Sequence, residues 1–213
     1  MKLAPIEEAI DAIGRGEFVL VVDSEDRENE GDLIIAAEMV TAEKIAFMVR
    51  HTSGLICLPM TGTRLDELEM PLMVMDNTEA HKTAFTVSID FREGTTTGIS
   101  AADRARTIRA VVESSSRSTD FSRPGHIFPL RSDDGGVLTR QGHTEAAVDL
   151  ASLAGLFPAG VLCEIVNDDG TMMRGDALSR FAQEHGLVMV SIEDLVAYRW
   201  RTESLVAREA SAT

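Results

Sequence analysis

The run from Asp23 to Asp32 (Asp-Ser-Glu-Asp-Arg-Glu-Asn-Glu-Gly-Asp) sets six carboxylates and one arginine between two apolar segments, Phe18 to Val22 and Leu33 to Ala37. Apolar, strand-like residues on both sides of a polar stretch, with Gly31 where the chain turns back, predict two neighbouring strands joined by an acidic loop. Holding such a loop at the end of a sheet is costly. Like charges repel at close range, and carboxylates leaving water lose solvation unless a cation or donor meets them. A disordered acidic tract would extend into polar sequence. A calcium-binding helix-loop-helix loop would need a bidentate Glu at its twelfth position, where Ala37 stands. The pattern therefore points to a structured loop that meets a positive group.

The whole chain has 213 residues and 44% hydrophobic composition, enough for one well-filled core. No Pro/Gly/Ser linker, low-complexity tract or internal repeat divides it, so residues 1–213 read as a single domain with a frayed tail from about residue 202. A net charge of −15 argues against nucleic acid, whose sequence-independent binding depends on clustered Lys and Arg. No apolar run approaches the roughly 20 residues that span a bilayer. The N-terminus opens on a charged amphipathic stretch and not a signal peptide, so no membrane association and a cytoplasmic location are expected. Cys57 and Cys163 each sit inside an apolar run, the setting of reduced core thiols and not of a disulfide framework.

Periodicity and capping residues place the elements. A helix starts near Pro5 with Ile6, Ile10 and Ile13 on one face and ends at Gly14 and Gly16; a strand follows from Phe18. After the return strand, Thr41 caps a helix bearing Ile45, Met48 and Val49, closed by Gly54 ahead of a buried strand Leu55 to Leu58. Thr83 to Phe91 alternates like a strand, and Ser100 with Asp103 makes a capping box for a helix through Ile108 and Val111. Short strands near His126 to Leu130 and Gly136 to Thr139 precede a helix from about His143 to Ala154 and a strand Val161 to Val166. Asn167 to Gly170 turns the chain, and helices Asp176 to His185 and Ile192 to Arg201 flank a strand Leu187 to Val190. Strict βαβ alternation is missing, and several connections are too short for parallel neighbours. The expected fold is α+β, a mixed parallel and antiparallel sheet flanked by helices in three layers.

Three segments can be assembled into one site. In Arg140-Gln-Gly-His-Thr144, Gly142 lets the backbone approach a ligand, while Arg140 and the following helix N-terminus supply positive potential, the outline of a phosphate cradle. His143 beside an acidic-loop carboxylate such as Glu28 makes an open site for a divalent cation, completed by water and substrate oxygens. His126 after Pro124-Gly125, and Glu164 on its strand, are groups able to move protons. Against these stand plainer readings: His143 as a helix cap or core histidine, Glu164 as a solvated strand edge, the two cysteines as small buried hydrophobes.

Four motifs in order, Asp26 to Asp32, Thr96 to Arg104, Arg123 to Leu130 and Arg140 to Ala146, together with Leu162 to Glu164 and Asn167 to Gly170, resemble the 3,4-dihydroxy-2-butanone 4-phosphate synthase family of riboflavin biosynthesis. The resemblance runs from about Phe18 to Tyr198. It implies a C–C lyase that converts D-ribulose 5-phosphate to 3,4-dihydroxy-2-butanone 4-phosphate and formate with magnesium or manganese and no organic cofactor. It also implies a homodimer with active sites near the subunit interface. By the resemblance, Glu28 and His143 ligate the metal. Arg27, Glu28, Asp32, Thr97, Arg140, Gln141, Gly142, His143, Thr144 and Glu164 contact substrate; His126 and Glu164 act as acid/base; Glu30, Asp32 and Cys57 shuttle protons or orient hydroxyls. Many family members are fused to a GTP cyclohydrolase II domain, whereas this chain stops soon after Trp200 and reads as monofunctional. Ser24 stands where the family often carries an acid. The rivals are another metal-dependent sugar-phosphate isomerase or aldolase, separated by formate release, and a non-catalytic metal or nucleotide binding module.

Overall fold

The computed structural model describes the backbone of residues 3–210 and side chains through residue 203. Seven strands form one mixed sheet: β1 Val19–Val22, β2 Gly31–Ala36, β3 Cys57–Met60, β4 Ile89–Phe91, β5 Phe121–Arg131, β6 Gly160–Glu164 and β7 Val188–Ser191, in the order β4-β5-β3-β6-β2-β1-β7. The hairpin β1/β2 and the pairs β2/β6, β3/β6 and β4/β5 are antiparallel, while β3/β5 and β1/β7 are parallel.

The central strands are apolar on both faces, so both faces must be covered. Alternate residues divide accordingly. Leu20, Val22, Leu33, Ile35, Val161 and Cys163 pack on one side, against α2 (Ala42–His51), α4 (Ala101–Val112) and α6 (Asp176–His185). Val19, Val21, Ile34, Ala36 and Leu162 pack on the other, against α1 (Ile6–Gly14), α5 (His143–Leu153) and α7 (Ile192–Ala210). Two cores around one sheet give the three layers expected. The caps also act as expected: Thr41 and Ser100 accept the N–H of Lys44 and Asp103, and Gly186 closes α6 in the left-handed conformation.

Several local expectations are corrected. Gly136 to Thr139 is not a strand: Gly136 takes φ +60 and the chain winds into a 3-10 turn, Gly136–Leu138, whose Val137 N–H is taken by the buried Asp149 carboxylate. Of Thr83 to Phe91 only β4 is regular, because Phe85 and Thr86 make single bridges to Leu130 and Leu72. The strand expected at Leu55 to Leu58 begins two residues later, Leu55 being exposed at 40%. That predicted at His126 to Leu130 is the middle of the longer β5, and that predicted at Val161 to Val166 is shifted to β6. A short helix, α3 (Gly62–Glu67), capped by Thr61, was not foreseen. The helix expected to stop at Arg201 continues to Ala210; of the tail expected to fray, residues 211–213 lie outside the described residues.

For the site, the decisive register is that between β2 and β6, which sets Asp32 directly opposite Glu164. Both stand on the α5 side of the sheet, since the residues two positions away on each strand, Ile34 and Leu162, belong to that core.

Candidate active site

The acidic loop is organised by its first residue. The Asp23 carboxylate accepts the N–H groups of Glu28 and Glu30, each at 2.9 Å, and pairs with Arg27 at 3.1 Å. Asn29 supplies the one left-handed residue of the turn, φ +54, a conformation Asn adopts more readily than most. This local wiring puts Glu28 over the N-terminus of α5. Its Oε2 lies 2.7 Å from Arg27 Nη1 and 3.6 Å from His143 Nδ1. His143 Nδ1 is also 4.0 Å from Asp32 Oδ2, and its Nε2–H donates to the Val21 carbonyl at 3.2 Å. One oxygen each from Asp23 and Glu28 and a ring nitrogen of His143 fall within 4.8 Å of one another.

The charges of this cluster are mutually dependent. The His143 imidazole 3.6 Å away and the nearby Arg27 overcome burial and hold Glu28 down at about 2. Burial pushes Asp32 up to about 7, against the attraction of His143, and its Oδ1 is buried without a hydrogen-bond partner. For His143, burial works against the charged form, but Asp32, Glu28 and Asp23 outweigh it and raise the imidazole to about 9. A buried pocket that retains a proton this strongly is a pocket that wants a positive charge.

The Arg140-to-Thr144 turn lies alongside. Arg140 Nη1 pairs with the buried Glu145 carboxylate at 2.6 Å, and Glu145 also accepts the Asp133 N–H at 3.1 Å. Arg140 Nη2 donates to the His81 carbonyl and to Thr83 Oγ1. A Cβ on Gly142 would come within 2.4 Å of Arg140 Nη1, so the absent side chain is what lets the guanidinium lie across the turn. Thr144, buried at 5% exposure, opens α5 beside His143. Glu145 was not singled out by sequence reasoning, although an acid next to the Arg-Gln-Gly-His-Thr turn is its visible signal.

One pocket collects most of the expected residues: Arg27, Glu28, Asp32, Cys57, Arg140, His143, Thr144 and Glu164 line it, joined by Thr83, Phe85, Leu130 and Leu162. The Cys57 thiol is pushed well up by burial and by Glu164, so it is neutral and a poor proton acceptor as it stands. Gln141 lines a neighbouring cleft with Asp23, Ser24 and Arg27 instead. Glu30, raised by burial and by Glu28 and Glu164, faces Arg174 at 3.3 Å. His126 and Thr97 do not line the pocket. On β5, His126 meets an unforeseen partner, Asp90, whose carboxylate accepts the His126 backbone N–H at 2.9 Å and sits 2.7 Å from Nδ1. A carboxylate on Nδ1 fixes the tautomer and leaves Nε2 as the working nitrogen. Thr97 precedes Gly98, which packs against the same Asp90 carboxylate; a Cβ there would fall 2.0 Å from Oδ2.

Comparison with known proteins adds the following. The family description 3,4-dihydroxy-2-butanone 4-phosphate synthase matches residues 7–198. A protein of that name from Agrobacterium fabrum (strain C58 / ATCC 33970) is 63% identical over 198 residues, covering 93% of each chain. The riboflavin biosynthesis protein RibBA of Salinispora arenicola (strain CNS-205) is 58% identical, over 97% of this chain and 49% of its own length. A solved 3,4-dihydroxy-2-butanone 4-phosphate synthase in complex with two magnesium ions superposes with a TM-score of 0.91 at 47% identity, covering 94% of this chain and 99% of that one.

Proposed function

The chain belongs to the 3,4-dihydroxy-2-butanone 4-phosphate synthase family, and from that premise we propose how its pocket converts D-ribulose 5-phosphate to 3,4-dihydroxy-2-butanone 4-phosphate and formate for riboflavin biosynthesis. The observation that carries the reading is the convergence in one pocket of a cation-seeking pair, Glu28 and His143, a phosphate-reading arm, Arg140 and Thr144, and two facing carboxylates, Asp32 and Glu164.

A divalent cation fits the residues present. Glu28 is ionised, His143 turns Nδ1 toward it while Nε2 is committed to Val21, and Asp32 Oδ1 lacks a partner. Hard oxygens with one imidazole suit magnesium or manganese. Such an ion, held by Glu28 and His143, would supply Lewis acidity toward substrate oxygens.

The remaining chemistry belongs to the chain's own side chains. Arg140 and the α5 N-terminus bind the phosphate and fix one end of the substrate. Glu164 stands across from Asp32 and exchanges protons with substrate carbon and oxygen. Asp32, poised near neutrality, accepts or returns a proton with little cost. Cys57 and Glu30 orient hydroxyl groups. Each positioned proton-transfer group contributes roughly 10²- to 10⁴-fold, so several together account for a reaction with repeated proton transfers.

His126, oriented by Asp90, and Thr97 serve the same reaction from a second copy of the chain. Their position outside the pocket of their own chain supports a homodimer with sites near the interface.

The test is turnover of D-ribulose 5-phosphate by purified protein, following substrate and formate together. Formate formed in step with substrate loss, abolished by chelator and restored by magnesium, supports the reading. Substrate loss without formate would assign an isomerase or aldolase, and no loss in folded, metal-supplied protein would assign a binding module.

A further inference from the structure

Glu164 ends β6, and the segment that follows α2 closes over that end. Ser53 N–H donates to the Glu164 carbonyl at 2.8 Å, and Thr52 bridges to Ile165, so the backbone of residues 52–53 is stitched to the strand around the carboxylate. Gly54 then turns the chain away at φ +82, which leaves Ser53 facing the strand end. The Ser53 hydroxyl donates to Glu164 Oε2 at 2.7 Å, lies 3.2 Å from Cys163 Sγ and takes a long contact, 3.5 Å, from the Leu55 N–H. Cys163, on the opposite face of the strand, directs its own thiol to the Leu55 carbonyl at 3.3 Å. Backbone and side chain of one residue thus grip the same glutamate at two points.

We propose that Ser53 is a positioning residue for the reaction: its hydroxyl, donating to Oε2, holds the Glu164 carboxylate in the rotamer that presents the other oxygen to the substrate. The proposal deepens the reading of Glu164 as acid/base and rests on it. The physical ground is elementary. Glutamate has three side-chain torsions, and of the two groups that reach Oε2, the Ser53 hydroxyl at 2.7 Å and the Cys163 thiol at 3.9 Å, the hydroxyl makes the short, directed bond that selects among them. A reacting group misplaced by an ångström loses much of its rate, whereas substrate affinity, set by the phosphate and cation contacts, is untouched. Ser53 is not among the residues that line the pocket, whereas Glu164 is.

A double-mutant cycle tests this. Ser53→Ala is expected to lower kcat roughly 10-fold, the range of a hydrogen bond to a charged group, with KM and calorimetric magnesium affinity within about 2-fold of wild type. Ser53→Thr, which keeps the hydroxyl, is expected to recover most of the rate. In a Glu164→Gln background, Ser53→Ala is expected to cost little more, because a residue acting through Glu164 has nothing further to lose. Unchanged kcat in a folded Ser53→Ala protein, a loss confined to KM, or full additivity with Glu164→Gln would each overturn the proposal. Full activity in Glu164→Gln alone would instead overturn the acid/base reading.

Discussion

Binding of magnesium at Glu28 and His143 is expected to expel a proton from His143, so that affinity climbs with pH. In the metal-free protein the imidazole is raised to about 9 because Asp32, Glu28 and Asp23 outweigh the cost of its burial. Only the unprotonated Nδ1 can ligate a metal. At pH 7.5 the ion must therefore displace a proton held about 1.5 pH units too tightly, a cost of about 2 kcal/mol. That weakens apparent affinity roughly 30-fold relative to the unprotonated site. Between pH 7.5 and 8.5 the affinity is expected to rise nearly 10-fold and to level off above pH 9. Asp32, held at about 7 by burial, is mostly ionised across this window, so the slope belongs to His143. Calorimetric titration with magnesium in two buffers of different ionisation enthalpy, at pH 7.5, counts the protons released. About one per ion is expected. No release, with a flat affinity from pH 7.5 to 8.5, would refute the assignment of His143 as a ligand that doubles as proton store.

Other substitutions separate structure from chemistry. Asp32 has a native pKa raised above its unfolded value, so it contributes no penalty below about pH 4, one that builds between about pH 4 and 7, and its full penalty above about pH 7. Asp32→Asn should consequently raise the thermal midpoint of the metal-free protein at pH 8, by up to about 4 kcal/mol of stability, yet abolish most turnover; an unchanged midpoint at pH 8 would contradict the cost assigned to the buried carboxylate. Glu145→Gln removes the partner of Arg140 and is expected to raise KM for the sugar phosphate about 10-fold while leaving magnesium affinity alone. Asp90→Asn frees the His126 tautomer and is expected to cost kcat about 100-fold, by the logic of carboxylate-oriented imidazoles; equal activity would mean that His126 works without that support.

The sequence exposes those parts of the site whose elements are local and regular. Strands β1 and β2 around an acidic turn are legible because both flanks are continuous apolar runs, and the turn residues name their own purpose by their charge. The Arg140-to-Thr144 turn is legible because a glycine and a helix start are short-range signals. What escapes is what depends on register. Nothing in residues 30–34 and 162–166 alone says that Asp32 falls opposite Glu164, although the shared face follows once the two strands pair in that register. Asp90 and Ser53 escape for the same reason: each meets its histidine or glutamate across 36 or 111 residues of chain. Gly136 to Thr139 misleads in the opposite direction, since Val137 and Leu138 look like a strand while a positive φ and a buried carboxylate wind the chain into a turn.

On the proposed reading, one pocket holds cation, phosphate and proton-transfer groups together. A crystal structure of the Glu164→Gln protein with magnesium and D-ribulose 5-phosphate tests it most directly. The ion is expected on Glu28 and His143 Nδ1, the phosphate on Arg140 and Thr144, and substrate carbon beside residue 164. An ion bound away from His143, or a phosphate that leaves Arg140 on Glu145 and His81 and seats elsewhere, would contradict it.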